Sequence, residues 1–267
     1  MRLLSRILIL GIFILFTCQV KAANWLVLDP HSPSTDHLIN QIVQSIPNVT
    51  VVDSTKQIPE SSNVITFGDA PDIKTQCSVH IRFLASPITQ RRTKESACRS
   101  AITISSQPSM ESILEVAHSY LDLGDKNLAY ILPADPDIPT QQALQQEYPD
   151  LVLVPTSGSI FTTLNTLRSN KDIKSVLVSS SYSAFKANNV ILSLESLYRK
   201  GIPVISTSSA LIGKGAVLVI YIDQNDALQT LNEVIADEKN SGIYYPRPTT
   251  HFDKRLAKLL SVVPIND

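Results

Sequence analysis

The sequence predicts an α/β protein of two lobes, each built on a parallel sheet with helices on its faces. Three observations lead there. The stretch from Lys174 to Asp223 reads as strand, polar turn, amphipathic helix, strand, polar turn, strand. Strands alternate with helical segments along most of the chain, the pattern that parallel sheets require. One short connection, Ser106 to Pro108, separates two successive sets of such elements. Together they give two Rossmann-like lobes joined by a hinge.

In the first stretch, Ser175–Ser179 and Pro203–Thr207 are short apolar runs rich in β-branched residues, as buried parallel strands tend to be. Between them Ile191, Leu194, Leu197 and Tyr198 fall at helical spacing, and Gly201 and Pro203 stop the helix. In order from the start, strands are expected at Trp25–Leu28, Val49–Val52, Asn63–Phe67, Ser78–Ala85 and Ala101–Ile104. Ser34 or Thr35 caps a helix whose apolar face is Leu38, Ile42, Val43 and Ile46. No clear helix follows Val49–Asp53, so the first lobe reads as a reduced one. Ser109 begins a helix that presents Met110, Ile113, Leu114, Ala117 and Leu121 and ends by Gly124. Strands at Leu128–Leu132 and Leu151–Val154, with helices at Gln141–Tyr148 and Ile160–Leu167, lead back to the Lys174 unit. A strand at Val217–Ile222, a helix over Asp226–Lys239 and a short helix over Phe252–Leu260 complete the chain.

The 267 residues, 43% of them hydrophobic, suffice for two lobes of about 100 residues each. A net charge of −1 argues against a nucleic-acid partner, which needs a basic surface. Arg2 and Arg6 precede the apolar run Ile7–Phe16, and Val20-Lys21-Ala22 then offers small residues at the positions a signal peptidase reads. The reading is a signal peptide over residues 1–23 and a periplasmic location; lipidation at Cys18 or an uncleaved anchor are the alternatives, and membrane contact is expected only through such an anchor. The run is shorter than the roughly 20 residues a bilayer span needs. Export leaves Cys77 and Cys98, an even pair for which a disulfide closing a loop of about 20 residues is expected.

Gln107-Pro108-Ser109 before a helix and Asn127–Leu132 after it resemble the passage between lobes in ABC-transporter substrate-binding proteins with the type I periplasmic-binding fold. The order Gly201–Ser206, Gly213–Val217 and Tyr221 is similar to that family's Pro-Val strand, Gly-Ala turn and crossing strand, and Phe252–Leu260 resembles its closing helix. The resemblance implies lobes that close on a small molecule, with hinge crossings near Ser105–Gln107, Ile220–Asp223 and Ile243–Pro246. The lobes would be 24–106 with 220–245, and 107–219 with 246–267. It also implies an ABC permease or an envelope sensor as partner. Where members often carry an acidic or amide residue after the Ser175–Ser179 strand, this chain has Ser180 and Ser181. That departure motivates the alternative of an envelope interaction or sensor-input module without a transported ligand.

A ligand in such a fold meets the loops at strand carboxyl ends and the amino termini of helices. The first-lobe candidates are Asp29, Ser32, Phe67, Gly68 and Ser86. Those of the second are Asp135, Ser157, Ser179, Ser181, Tyr182, Ser206 and Thr207, with Tyr221 at the hinge. Phe67 and Tyr182 could sandwich an apolar group. No catalytic constellation stands out. Ser157-Gly158-Ser159 lacks the Gly-x-Ser-x-Gly elbow, His31, His37, His80, His118 and His251 lack metal-ligand spacing, and the eight glycines form no phosphate loop. The expectation is a binding protein without cofactor or metal, and not an enzyme.

Overall fold

The computed structural model describes residues 24–30, 33–53, 58–68, 73, 76–86, 97–122, 128–132, 138–154, 160–179, 187–237 and 240–262. Its strands are β1 (Trp25–Leu28), β2 (Val49–Val52), β3 (Asn63–Phe67), β4 (Val79–Ala85), β5 (Ser100–Ser105), β6 (Leu128–Ile131), β7 (Leu151–Val154), β8 (Ser175–Val178), β9 (Val204–Ser206), β10 (Leu218–Ile222), β11 (Gly242–Tyr244) and β12 (Pro248–Phe252). Its helices are α1 (Pro33–Ser45), α2 (Met110–Tyr120), α3 (Ile138–Glu147), α4 (Ile160–Ser169), α5 (Ala187–Tyr198), α6 (Gln224–Ala236) and α7 (Lys254–Leu259).

They form two six-stranded sheets, ordered β2-β1-β3-β4-β5-β11 and β7-β6-β8-β9-β10-β12. Every pairing is parallel except β10 with β12. The two-lobe α/β class read from the sequence is the observed one. The first lobe is not short of strands. Its sheet equals the second in number, and the reduction, among the described residues, is in the helix count.

The second lobe is a three-layer sandwich. Ala129, Ile131, Val176, Val178, Val204 and Val219 face α4 and α5 through Leu164, Leu167, Leu194 and Leu197. Their neighbours Leu128, Leu177, Ile205, Leu218 and Ile220 face α2 and α7 through Ile113, Ala117, Leu256 and Ala257. This is the run of consecutive apolar residues that a strand buried on both faces demands. In the first lobe, Trp25, Val27, Ile65, Phe67, Ile81, Phe83, Ile102 and Ile104 meet α1 and α6. The opposite face carries Val64 and Leu26, which meet Ile58, Ile73 and Cys77.

Residues on that second face are also polar. Thr66, Arg82 and Thr103 are register partners across β3, β4 and β5, so their side chains share one face, with His80 one pleat away. All four are at most 1% exposed. His80 Nε2 and Thr66 Oγ1 lie 2.9 Å apart in a hydrogen bond. His80 Nδ1 and Thr103 Oγ1 make none among the described residues. Burial pushes the His80 pKa down from 6.5 to about 4. The disulfide between Cys77 and Cys98 spans a Cα–Cα distance of 4.4 Å and ties the approaches to β4 and β5 together.

Several local expectations need revision. Helix α1 starts at Pro33, so Ser34 and Thr35 lie inside its first turn, where proline's fixed φ suits the helix start. Ser109 is the N-cap of α2, its Oγ accepting from the Ser112 N–H at 3.1 Å. Ile191 is 69% exposed and Tyr198 41%, because the sheet-facing side of α5 runs through Leu194 and Leu197 instead. Val43 of α1 points outward for the same reason, with Ile39 buried in its place. Gly201 does end α5: at φ +71° its N–H donates to Tyr198 O at 2.9 Å and Ile202 N–H to Leu197 O at 3.1 Å. Two short strands, β11 and β12, are additions to the expected set, and Phe252 closes β12 rather than opening a helix.

The chain passes between the sheets three times. It leaves β5 for α2 and leaves β10 at Asp223 for α6, which packs on the first lobe. It returns between β11 and β12. Strand β10 stays in the second sheet through Ile222.

Candidate functional site

In each sheet the order of strands reverses beside the first strand of its lobe: at β1/β3 in one and at β6/β8 in the other. Neighbouring connections leave such a point toward opposite faces, which opens a crevice at the carboxyl ends of those strands. The ends flanking the first crevice are Leu28–Asp29 and Phe67–Gly68, and those flanking the second are Ile131–Leu132 and Val178–Ser179.

Asp29 continues the β1–β2 ladder, its N–H donating to Val52 O at 3.0 Å, and is partly exposed. Gly68 turns the chain out of β3 at φ +55°, a region that favours glycine, while its N–H donates to Phe83 O at 2.8 Å. The Phe67 ring is only 8% exposed and packs edge-to-face on Phe83 with centroids 5.9 Å apart. It therefore belongs to the core beneath α1 and α6. Ser86 comes directly after β4, whose end is irregular. Leu84 adopts φ 56° and the β4–β5 register shifts between Phe83 and Ala85. A left-handed leucine is strained, and a bulge there re-aims the side chains beyond it.

In the second lobe Ser179 is 6% exposed and its Oγ donates to Gln107 Oε1 at 3.0 Å. Gln107 N–H donates to Ser105 Oγ at 3.1 Å, and Ser105 Oγ donates to Gln107 O at 2.7 Å. A buried polar chain thus runs from the end of β5, along the passage between lobes, to the end of β8. Ser206 is fully buried and its Oγ accepts from Ser208 N–H at 3.0 Å, while Thr207 N–H donates to Val178 O at 3.2 Å. Since Val178 pairs with Ser206, the ends of β8 and β9 place Ser179 and Thr207 on one rim. Tyr221 stands apart. It lies opposite Thr249 on β12 and packs against the core under α4 and α5.

Ser32, Asp135, Ser157, Ser181 and Tyr182 lie outside the described residues. Ser105 and Gln107 were expected at a hinge crossing and not among the ligand-binding candidates. Their signal was a glutamine between two apolar elements, where a buried amide must find partners. Among the described residues no group of three His, Cys, Asp or Glu could hold a metal ion. No helix among them is long and apolar enough to cross a membrane.

No family model and no curated sequence matches this chain. Solved structures do. A ligand-free, open substrate-binding protein with adhesive properties from Clostridium difficile aligns over 90% of this chain and 95% of its own, with a TM-score of 0.60 at 12% identity. The chain has the type I periplasmic-binding-protein fold. An ABC domain from Streptococcus pneumoniae, in complex with L-Trp, aligns over 92% of this chain and 96% of its own, with a TM-score of 0.55 at 13% identity. A conserved domain protein from Vibrio cholerae aligns over 91% and 96%, with a TM-score of 0.56 at 8% identity. At such identities the likeness is one of fold. None of these three is described as an enzyme.

Proposed function

We propose that this chain is an exported solute-binding protein of an ABC-type uptake system, holding a small polar molecule between its two lobes. One observation carries the reading. Both sheets open a switch-point crevice at their carboxyl ends, and the Ser105–Gln107–Ser179 chain links the rim of one to the passage leading to the other. The lobes of this reading are 24–106 with 223–245, and 107–222 with 246–262. Asp29 and Gly68 from the first, and Ser179 and Thr207 from the second, supply a carboxylate, backbone groups and hydroxyls. That set suits a ligand with several hydrogen-bonding groups and at most a single positive charge. Closure of the lobes around it would be the change that a permease senses in the periplasm. The test is a thermal-shift screen of amino acids, sugars and small organic acids against the mature chain. A binder should raise the melting temperature, and Ser179→Ala should weaken it about fivefold, the worth of one ordinary hydrogen bond. A complete screen with no stabilising compound overturns the proposal.

A second reading is favoured by Phe67, Ser179 and Ser206, whose ring and hydroxyls are engaged inside the protein. It is an envelope interaction or sensor-input module in which the rims are structural. It predicts no ligand-linked rise in melting temperature and a radius of gyration unchanged by any compound pool.

A further inference from the structure

The passage from β5 to α2 is gripped by both lobes within two residues. On the first-lobe side Ser106 is held at the end of β4: its N–H and its Oγ both donate to Ala85 O, at 3.0 and 3.1 Å. On the second-lobe side Gln107 is held at the end of β8, where its Oε1 accepts from Ser179 Oγ at 3.0 Å. Ser105 Oγ straddles the join, accepting from Gln107 N–H at 3.1 Å and donating to Gln107 O at 2.7 Å. Ser105 is fully buried, Gln107 is 5% exposed and Ser179 6%. At such burial each bond broken leaves a polar group unpaired, which is costly.

Few torsions remain free to move here. The backbone has two soft dihedrals per residue, and Pro108 fixes its own φ and confines Gln107 to extended ψ. A swing of one lobe against the other along this crossing therefore falls on ψ of Ser106 and φ of Gln107. Turning either pulls Gln107 away from Ser105 Oγ or from Ser179. The other two crossings run side by side, with Ile222 opposite Pro248. Their side-chain link, Thr249 Oγ1 to Asp226 Oδ2, is longer at 3.3 Å and only part-buried. We infer that the crossing after β5 is a latch: Gln107 holds the lobes at one resting angle and must release Ser179 before that angle changes. The inference stands whether or not the crevices take a ligand, so a failed ligand screen leaves it intact.

Double electron–electron resonance on the mature chain tests it. Nitroxide labels go on Asp53→Cys, exposed just after β2, and Ile191→Cys, exposed in the first half of α5. Both positions lie near the carboxyl ends of their sheets, so their separation follows the rims of the crevices. With no other change the labels should give one narrow distance distribution. Ser179→Ala and Gln107→Leu should each at least double its width. The two together should be no wider than the wider single variant, because both remove the same bond. Thr249→Val should broaden it less than either. Ile58→Ala, which loosens the first lobe away from the crossing, should leave it narrow. Circular dichroism confirms folding, and Ser179→Ala, which removes one oxygen, keeps the test open should Gln107→Leu fail to fold. A distribution already broad without these changes overturns the inference. So does one that stays narrow in Ser179→Ala, or that Ile58→Ala broadens as much.

Discussion

In the second lobe Leu164, Leu167, Leu194 and Leu197 cover one face of the sheet while Ile113, Ala117, Leu256 and Ala257 cover the other. In the first lobe α1 and α6 cover one face, and the other meets Ile58, Ile73 and Cys77 over a row of Thr66, Arg82 and Thr103. The strand order is nonetheless the same in both. The sheet architecture is thus carried by the strands and by one well-covered face. On the second face of the first lobe the described cover is Ile58, Ile73 and Cys77, and the last of these is tied down. The tie is the Cys77–Cys98 bond.

The contrast can be broken most sharply at Leu197, which is fully buried where α5 meets the sheet. Leu197→Ala should cost about 4 kcal/mol, because the fully buried side chain sits among Leu164, Leu167 and the sheet and leaves a cavity that relaxes little, whereas Ile58→Ala on the first lobe's second face should cost about 2 kcal/mol. Urea denaturation of the two variants measures the gap, and equal losses would dissolve the distinction. Replacing Cys77 and Cys98 by alanine should remove about 3 kcal/mol, the loop-entropy value for their separation of 21 residues. The loss should fall on the first lobe, seen as hydrogen exchange that quickens in β4 and β5 before it does in β8 and β9.

Acid should also act on the first lobe. The His80 pKa is lower folded than unfolded, so between pH 6.5 and about 4 the unfolded chain binds the extra proton. Stability present above pH 6.5 is then lost as pH falls through that window, by at most about 3 kcal/mol. Thr66→Val combined with His80→Leu removes both partners of the buried hydrogen bond and should flatten this slope at little cost near pH 7. A melting temperature that still falls equally between pH 6.5 and 4 would show that other groups are responsible. The smallest effect belongs to the caps. Ser109→Ala should cost about 1 kcal/mol at α2 and Asp223→Ala a similar amount at α6, where its Oδ1 accepts from Asn225 N–H at 2.8 Å. Guanidinium titrations of both variants would show whether a cap at the first lobe's cover is felt as strongly as one in the second.

Most strands were readable because their runs are short, apolar and rich in β-branched residues: Val49–Val52, Asn63–Phe67 and Leu151–Val154 were expected at the residues where they occur, although the first and last are edge strands and only Asn63–Phe67 is buried along most of its length. Strands β11 and β12 were not. Gly242–Tyr244 and Pro248–Phe252 are edge strands with partly exposed residues and a proline, so neither alternation nor an apolar run announces them. Helix faces were legible only to within a residue. Ile191 and Val43 sit at the margin of their apolar stripes, and which margin is buried depends on the helix's roll against the sheet. At the crevices, Asp29, Gly68, Ser179 and Thr207 could be placed at strand ends from the runs that precede them. Composition could not separate a hydroxyl that meets a ligand from one that closes a turn, as Ser206 does. Gln107 could be placed at a crossing between lobes, but its link to Ser179 could not be read, because its partners Ser105 and Ser179 lie at the ends of strands in different sheets.

The pairing of β11 with β5 joins Gly242 to Ile102, and α6 reaches the same lobe only after all five parallel strands of the other have been made. On a growing chain the amino-terminal half therefore emerges with one sheet border unpaired and Trp25, Ile65 and Phe83 lacking half of their cover. It has to wait for the carboxyl-terminal half to mature before it can close. Contacts so distant along the chain make acquisition of the native state slow and leave that half open to proteases and to self-association meanwhile. A protein assembled in this order would profit from a holdase on its route, and its carboxyl-terminal half would be the first to resist digestion.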